Sequence, residues 1–308
     1  MNRREFLAAG GAALLAGCTS PGAVKSSSRK RGKARFSVFS KMFQSPVTSS
    51  PEALCDLMAS AGMDGVQWTV RPKGHVLPEN VKTELPRLVK IAESRGLKCE
   101  SICTAITDGG DPVAETIIKT AGDCGVGMFR TGYYFYDAKK ETFGESMDRF
   151  KRGYASLARL GEATGVKAVY QNHSTWGPSV FGGVVWDIHE CIKNLDPAHV
   201  GLEYDPMHAY FETGLSWSHG FDLVAPWISA VDLKDFHYVL SPKNPKMMKK
   251  ALVAAGEGVV PWREVRKLVD AHAVDPFYII HFEYDFDKTD LKATVRRELD
   301  GFKKVFAV

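Results

Sequence analysis

Ionisable and amide side chains follow directly on four short apolar segments in the second half of this 308-residue chain. These side chains are Gln171 and His173, then Glu203, Asp205 and His208, then Asp232, Lys234 and Asp235, and finally His281 and Glu283. Charged groups are seldom buried unless they are paired or bind a metal. Carboxylates and histidines in one place are suited to metal binding and to proton transfer. The pattern therefore predicts a catalytic or binding site where these segments end.

The segments belong to a longer pattern in which a short apolar run is followed by an amphipathic run, eight times from Phe36 onward. Ser50 before Pro51 indicates the start of a helix, and Gly62 indicates its end. Strand–helix alternation is typical of a parallel sheet. Eight units in residues 36–308 predict an α/β fold, a single closed (β/α)₈ TIM barrel, which usually takes about 250 residues. A doubly wound open sheet is the alternative, but no G-x-G-x-x-G fingerprint follows the first strand.

In such a barrel the active site lies at the C-terminal ends of the strands. The earlier strands and the loop after the second strand add further polar residues there, namely Lys41, Gln67, Arg71, His75, Glu100 and Arg130. Single residues have simpler explanations: His281 could be a core histidine, Glu100 could pair with a lysine, and Asp235 could serve as a cap or ion-pair partner. Four neighbouring strands that all end in such groups nevertheless favour a shared site.

Several of these segments resemble the sugar phosphate isomerase/epimerase family of xylose-isomerase-like TIM barrels. The motifs "YQNH", "GLEYDPMHAY", "AVDLKDF", "GEGVVPW" and "HFEYD" occur in the order of that family. The resemblance covers nearly all of residues 36–300 and implies the barrel fold and a carbohydrate substrate. Members bind one divalent metal through Glu, Asp, His and Glu on strands 5 to 8. The positions that correspond here are Gln171, Asp205, Asp232 and Glu283.

Two of these four implied metal ligands differ in type from the family. Gln171 replaces a glutamate and Asp232 replaces a histidine, so the formal charge of the set remains −3. An all-oxygen set favours a hard ion, Mn²⁺ or Mg²⁺, and leaves Ca²⁺ and Zn²⁺ as alternatives. His173 or His281 could still supply a nitrogen ligand. One divalent ion is therefore the expected cofactor.

Family enzymes move a proton next to a carbonyl, with the metal stabilising the enediolate. Gln171 cannot take up a proton, so Glu283 remains as the base, and Lys234, His173, His208 or Glu100 would be its acid partner. One-base chemistry is therefore favoured over two-base epimerisation, and β-elimination from a 3-keto glycoside would need only one base. The residues expected to contact a free sugar, keto-sugar or glycoside are His173, Glu100, Trp68, Arg71, His75 and Trp176, with the family's substrate histidine kept as His208.

The first 35 residues differ in character from the rest of the chain. Arg3 and Arg4 precede an apolar run that is too short to span a bilayer and resembles a twin-arginine export signal over residues 1–17. "LAGC" resembles a lipoprotein box that ends at Cys18, with a Sec signal without lipidation as the alternative. Residues 18–35 read as a basic disordered tether. We expect an exported, periplasmic protein whose membrane contact is a lipid on Cys18.

The net charge of +4 comes from the N-terminal segment. Residues 1–35 carry eight Lys or Arg and one Glu, so the remainder has 32 basic and 35 acidic side chains, a charge of −3. A barrel with this charge lacks the footprint of a nucleic-acid-binding protein. The five cysteines after Cys18 lack C-x-x-C spacing and are expected to be free thiols. A homo-oligomer is left open.

Two other functional classes were weighed against the sugar enzyme. A non-catalytic sugar-binding protein would explain Gln171 and Asp232 as marks of a decayed metal centre. Hydrolytic chemistry of the apurinic-endonuclease type would need many metal-binding histidines and a basic core, which this sequence lacks. The feature that discriminates between the first two classes is whether Asp205, Asp232 and Glu283 converge on a metal.

Overall fold

Eight parallel strands close into a barrel in the computed structural model, which describes residues 33–174 and 179–306. The strands of the barrel are β1 (Phe36–Phe39), β2 (Gly65–Val70), β3 (Ser101–Thr104), β4 (Met128–Arg130), β5 (Lys167–Gln171), β6 (Val200–Tyr204), β7 (Ile228–Leu233) and β10 (Phe277–Ile280). Around the barrel their order is β1-β10-β7-β6-β5-β4-β3-β2. The predicted closed (β/α)₈ barrel is thus confirmed, and the open-sheet alternative is wrong.

Helices alternate with the strands and cover the outside of the barrel. They are α1 (Pro51–Ala61), α2 (Val81–Glu93), α3 (Pro112–Asp123), α4 (Phe143–Thr164), α5 (Val185–Ile192), α6 (Pro206–Thr213), α7 (Trp217–Val224), α8 (Trp262–Ala271) and α9 (Leu291–Phe306). Ser50 caps α1 by accepting from the Ala53 amide at 3.2 Å, and Gly62 ends it at φ +90°. Within the described ranges, no helix is both long and apolar enough to span a bilayer.

Side chains of the strands alternate between the barrel interior and the helical layer. On β2, Gln67 reaches Glu203 across the interior, whereas Trp68 lies in the core between strands and helices. A small apolar cluster inside the barrel consists of Phe39, Cys103, Ala230, Phe277 and Ile279. On β7 and β10, Ala230 and Ile279 precede the polar Asp232 and His281 by two positions, so the apolar cluster adjoins the polar strand-end residues.

A β-hairpin that the eight-unit pattern did not predict follows β7. Its strands are β8 (Asp235–Ser241) and β9 (Asn244–Val253), which pair antiparallel around Pro242 and Lys243. The sequence prediction assigned no element to residues 237–255. The turn-forming stretch "SPKNP" between two runs of β-forming residues was the signal that could have indicated it.

Asp235, at the base of the hairpin, holds the turn that contains "GEGVVPW". Its carboxylate accepts from the backbone amides of Gly256 and Val260 at 3.2 and 3.1 Å, and from the Trp262 indole at 3.1 Å. Asp235 thus has a structural role, which was the simpler explanation considered for it in the sequence. The turn that it holds leads into α8.

Replacing Gly258 by alanine is expected to destabilise the fold by about 1–3 kcal/mol. A Cβ at Gly258 would lie 2.0 Å from the Asp235 carboxylate oxygen and 2.5 Å from the Phe236 amide nitrogen. Denaturant unfolding measures the loss. The control is Gly144→Ala near the start of α4, where a Cβ meets nothing within 4 Å among the described residues, and helix propensity should favour the alanine. Equal stability of the two variants would contradict the argument.

The five predicted free thiols are confirmed, since Cys55, Cys99, Cys103, Cys124 and Cys191 form no disulfide in the described ranges. The predicted export signal, Cys18 and the tether up to residue 32 lie outside the described residues, as does Trp176.

Candidate active site

The C-terminal ends of the strands bring the polar residues into one buried network at the mouth of the barrel. On its deeper level, Arg130 of β4 lies 3.2 Å from the Glu203 carboxylate of β6, and Gln67 of β2 donates to the same carboxylate at 2.7 Å. His281 follows β10, and its Nε2 lies 3.2 Å from Asp232 Oδ1 of β7. Both acidic residues of this level are fully buried, so each depends on these partners.

The upper level is centred on Lys234, directly after β7. Its ammonium lies 3.0 Å from Asp205 Oδ2 and 3.1 Å from Glu283 Oε2, and the residue is only 2% exposed. Gln171, at the end of β5, donates its amide Nε2 to Asp205 Oδ2 at 3.1 Å and to Asp232 Oδ2 at 2.5 Å. Lys234 therefore bridges Asp205 and Glu283, and Gln171 links Asp205 to Asp232 on the deeper level.

The electrostatics follow from burial and from these close pairs. Burial alone would lower the pKa of Lys234, but the Asp205 and Glu283 carboxylates raise it overall. Burial opposes ionisation of Glu283, yet Lys234 and His281 hold its pKa well below the usual range. Burial and the Asp232 charge raise the pKa of Glu203 to about 8. Lys234 and Glu283 thus form a charged pair at neutral pH.

A cavity of about 460 Å³ opens above this network. Its lining includes Lys41, Arg71, Tyr133, Gln171, His173 and Glu283. Its volume and its polar lining suit a small carbohydrate. A larger depression, about 720 Å³, lies on the outer surface between α2 and α3 and is lined by no strand-end residue. We take the smaller cavity as the active-site candidate, because the ionisable network forms its floor.

Comparison with known proteins places the chain in a family. The family described as Xylose isomerase-like TIM barrel matches residues 55–305. The chain belongs to this family. No curated protein matches the sequence.

Solved structures with the same fold include D-psicose 3-epimerase from Clostridium cellulolyticum H10 with D-tagatose, at 13% identity and a TM-score of 0.66, covering 88% of this chain and 99% of that one. The apo 3-keto-D-glucoside 4-epimerase from E. coli has 11% identity and a TM-score of 0.66, covering 88% and 100%. A xylose isomerase-like TIM barrel protein from Mycobacterium smegmatis in complex with magnesium has 13% identity and a TM-score of 0.63, covering 89% and 98%. At these identities the likeness shows the fold.

Several predicted substrate contacts of this xylose isomerase-like barrel lie away from the cavity. Trp68 is fully buried in the helical layer, because it is the neighbour of an inward-facing residue on β2. Glu100 precedes β3 and pairs with Arg35 at 2.9 Å, so it lies at the N-terminal end of the barrel and cannot be the acid partner. His75 is bonded to Thr69 and Ser40 at 2.9 and 3.2 Å, and burial lowers its pKa to about 4. The structure thus places these three predicted contacts outside the cavity lining.

Two predicted catalytic residues lie beneath the cavity surface instead of lining it. His208 is 1% exposed, and its ring lies against that of His173 with centroids 3.7 Å apart and the planes tilted by 36°. Burial lowers its pKa well below the ordinary value, so it is a neutral support for His173. Lys234 lies under Glu283. Neither residue lines the cavity, whereas Arg71, His173 and Glu283 do.

The sequence reasoning missed three contributors to the site. Tyr133 lies just after β4, where its hydroxyl donates to Gln171 Oε1 and its ring borders the cavity. Leu252 and Lys250 come from β9 of the unpredicted hairpin. Lys250 contacts the Ser174 hydroxyl and lies 3.5 Å from His208 Nδ1.

The four predicted metal ligands come together, but they are already bonded to protein donors. The Lys234 ammonium already lies 3.0 Å from Asp205 Oδ2, and it would repel a divalent ion that the same carboxylate held. Gln171 presents its N–H groups, not its oxygen, to Asp205 and Asp232. As arranged, the set Gln171, Asp205, Asp232 and Glu283 does not fit a divalent ion.

A different buried set could hold a metal ion. Ligand atoms of Glu203, Asp232 and His281 all lie within 4.8 Å of one another. Asp232 Oδ1 and His281 Nε2 face each other without an aligned hydrogen bond in the described part of the chain. Glu203, however, already accepts from Gln67 and Arg130. Only Asp232 is shared with the predicted set.

Proposed function

We propose that this chain is a carbohydrate isomerase or epimerase-type enzyme that removes a proton next to a carbonyl. Its substrate class is a free sugar, keto-sugar or glycoside. The observation that carries the proposal is one carboxylate, Glu283, that faces a cavity of about 460 Å³ together with the cations Lys41 and Arg71. The structurally similar sugar epimerases support the same reaction class.

In the proposed step Glu283 takes the proton from the carbon beside the substrate carbonyl. The C–H electron pair forms the carbon–carbon double bond, and the carbonyl π pair moves to oxygen to give an enediolate. Lys41 and Arg71 line the cavity and would stabilise that oxyanion. The hydroxyl proton then moves from the neighbouring oxygen to the enediolate oxygen, and Glu283 returns its proton to the former carbonyl carbon. These two transfers complete an isomerisation and balance the protons without a second base.

Two-face epimerisation would need a further proton donor. Gln171 stands where the resemblance places a second glutamate, and an amide cannot supply the proton. Tyr133 and His173 are the other cavity groups that could carry one. Burial lowers the pKa of His173 to about 2 and raises that of Tyr133. The site therefore favours chemistry with one base, which includes β-elimination from a 3-keto glycoside.

Glu203, Asp232 and His281 are the residues that could hold a divalent ion, but all three are buried and none lines the cavity. The proposed step therefore depends on Glu283, Lys41 and Arg71. Mn²⁺ or Mg²⁺ suits two carboxylates and one imidazole. From the predicted export signal and lipid anchor, we also propose that the enzyme acts outside the cytoplasm. A sugar-binding protein without turnover remains the contrasting function.

Solvent-exchange measurement tests the proposal directly. The protein is incubated in D₂O with a panel of ketoses, aldoses and 3-keto glycosides, and deuterium incorporation next to the carbonyl is followed by NMR. We expect incorporation into at least one sugar, with isomer or elimination product. Binding of a sugar without any exchange would instead favour the non-catalytic function.

A further inference from the structure

We propose that the Lys234 ammonium takes the place of a divalent ion at the barrel mouth, so that the site works without metal. This inference rests on the proposed function, since it concerns the charge that supports Glu283. The ammonium lies 3.0 Å from Asp205 and 3.1 Å from Glu283, two of the four residues that the family resemblance implies as metal ligands. One internal cation thus bridges the carboxylates that a metal would bridge.

Gln171 complements the Lys234 ammonium in the arrangement that replaces the metal ion. Its Nε2 contacts both Asp205 and Asp232, and it can do so because an amide donates hydrogen bonds. The Tyr133 hydroxyl donates to Oε1, which fixes the orientation of the amide. A glutamate in this position would face two carboxylates and would require an added cation. Glutamine at 171 and lysine at 234 are therefore mutually consistent in a centre without metal.

The charge balance of the whole network supports this inference. The sequence count of −3 for the implied ligands omitted the cations that the fold brings to them. Four carboxylates, Glu203, Asp205, Asp232 and Glu283, meet Arg130, Lys234 and Lys41, whose ammonium lies 3.7 Å from Glu283. The formal sum of these four carboxylates and three cations is −1. A divalent ion would leave the buried network with an excess of positive charge.

Lys234 accordingly acts as a positioning residue. It lies beneath Glu283 and holds its carboxylate against the cavity, while Asp205 anchors the ammonium from the other side. Asp205 is held in turn by the Asn172 amide, which donates to its backbone carbonyl at 2.9 Å. The electrophilic groups that reach substrate are then Lys41 and Arg71, not a metal.

The first test uses the wild-type mature protein, purified without chelator and then incubated with Mn²⁺, Mg²⁺ or Zn²⁺. We expect less than about 0.1 equivalent of bound metal after desalting, and a melting temperature that the ions shift by less than about 1 °C, since a ligand stabilises only the state that it binds. About one equivalent of metal that is lost on Asp232→Asn would overturn the inference.

The second test removes the internal cation. The double variant Lys234→Gln/Gln171→Glu should melt at a lower temperature than wild type without metal and should regain about 5 °C or more with saturating Mn²⁺. The control is Lys167→Gln, a half-buried lysine at the start of β5 that contacts Ser229, and Mn²⁺ should not change its stability. A double variant that binds no Mn²⁺ would count against the inference, and one that fails to fold leaves the wild-type measurement to decide.

Deuterium exchange with added chelator separates this inference from the proposed function. Exchange that continues in EDTA supports both. Exchange that requires added Mn²⁺ overturns the role of Lys234 and leaves the proposed function standing. Absence of exchange on every sugar, in EDTA and with added Mn²⁺ alike, overturns the proposed function, while the wild-type metal content decides whether Lys234 replaces the ion.

Discussion

Glu283→Gln is expected to lower the rate of proton exchange and turnover about 10³-fold or more, because general bases contribute about 10²–10⁴-fold. Glutamine keeps the shape of the side chain and can still accept from Lys234, so the cavity should persist. Only the ability to take up a proton is lost. The measurement is kcat/KM on any sugar that the wild type converts, together with sugar affinity, which should change little.

The matched control for this substitution is Glu100→Gln. Glu100 is also a half-buried glutamate in an ion pair, but it lies at the opposite end of the barrel beside Arg35. Its activity should stay within about twofold of wild type, as expected for a residue outside the reaction. A Glu283→Gln enzyme that retained normal activity would remove Glu283 from the mechanism.

Arg130→Met is expected to cause the largest loss of stability, about 3–5 kcal/mol, because it leaves a buried carboxylate without its partner. The guanidinium lies 3.2 Å from Glu203 and 4.5 Å from the centre of the Phe39 ring, and nothing else among the described cations contacts Glu203. For a barrel of this size the melting temperature should fall by about 10 °C. Thermal and urea unfolding measure the effect.

The loss should also depend on pH. A carboxylate whose folded pKa is raised, as that of Glu203 is to about 8, contributes stability below its unfolded pKa and loses it as pH rises through the folded value. Without Arg130 the pKa of Glu203 rises further, so Arg130→Met should lower the folding stability more at pH 8 than at pH 5. Adding Glu203→Gln should restore part of the stability. Arg87→Met, which removes an exposed pair with Glu52, should cost less than about 1 kcal/mol.

The strand-end positions of the site residues followed from the sequence because they depend on local periodicity. Gln171, Asp205, Asp232 and Glu283 each come directly at or after an apolar strand, and a closed barrel leaves only its mouth for such groups. The hairpin was not predicted, since its exposed strands carry little apolar alternation. Lys250 and Leu252 therefore entered the site without any expectation from the motifs.

The sequence could not predict the distances between side chains on different strands of the barrel. Glu100 is as polar, and Trp68 as aromatic, as the residues that line the cavity. However, Glu100 lies before its strand, and Trp68 points outward toward the helices. A strand shifted by one residue reverses which side chains face the interior. Alternation predicts two possible faces, and only packing against the helices selects one.

The sequence by itself determined the barrel, the place of the site and the types of group that form it, because hydrophobic period and motif order are local properties. The tertiary structure alone decided which charges compensate one another. Lys234 is two residues from Asp232 in the chain, yet it pairs with Asp205 and Glu283 on the neighbouring strands. Electrostatic energy depends on separations of a few ångströms between residues that are distant in sequence. For this reason a set that counted as a −3 metal site in the sequence forms a nearly neutral, internally bonded network in the fold.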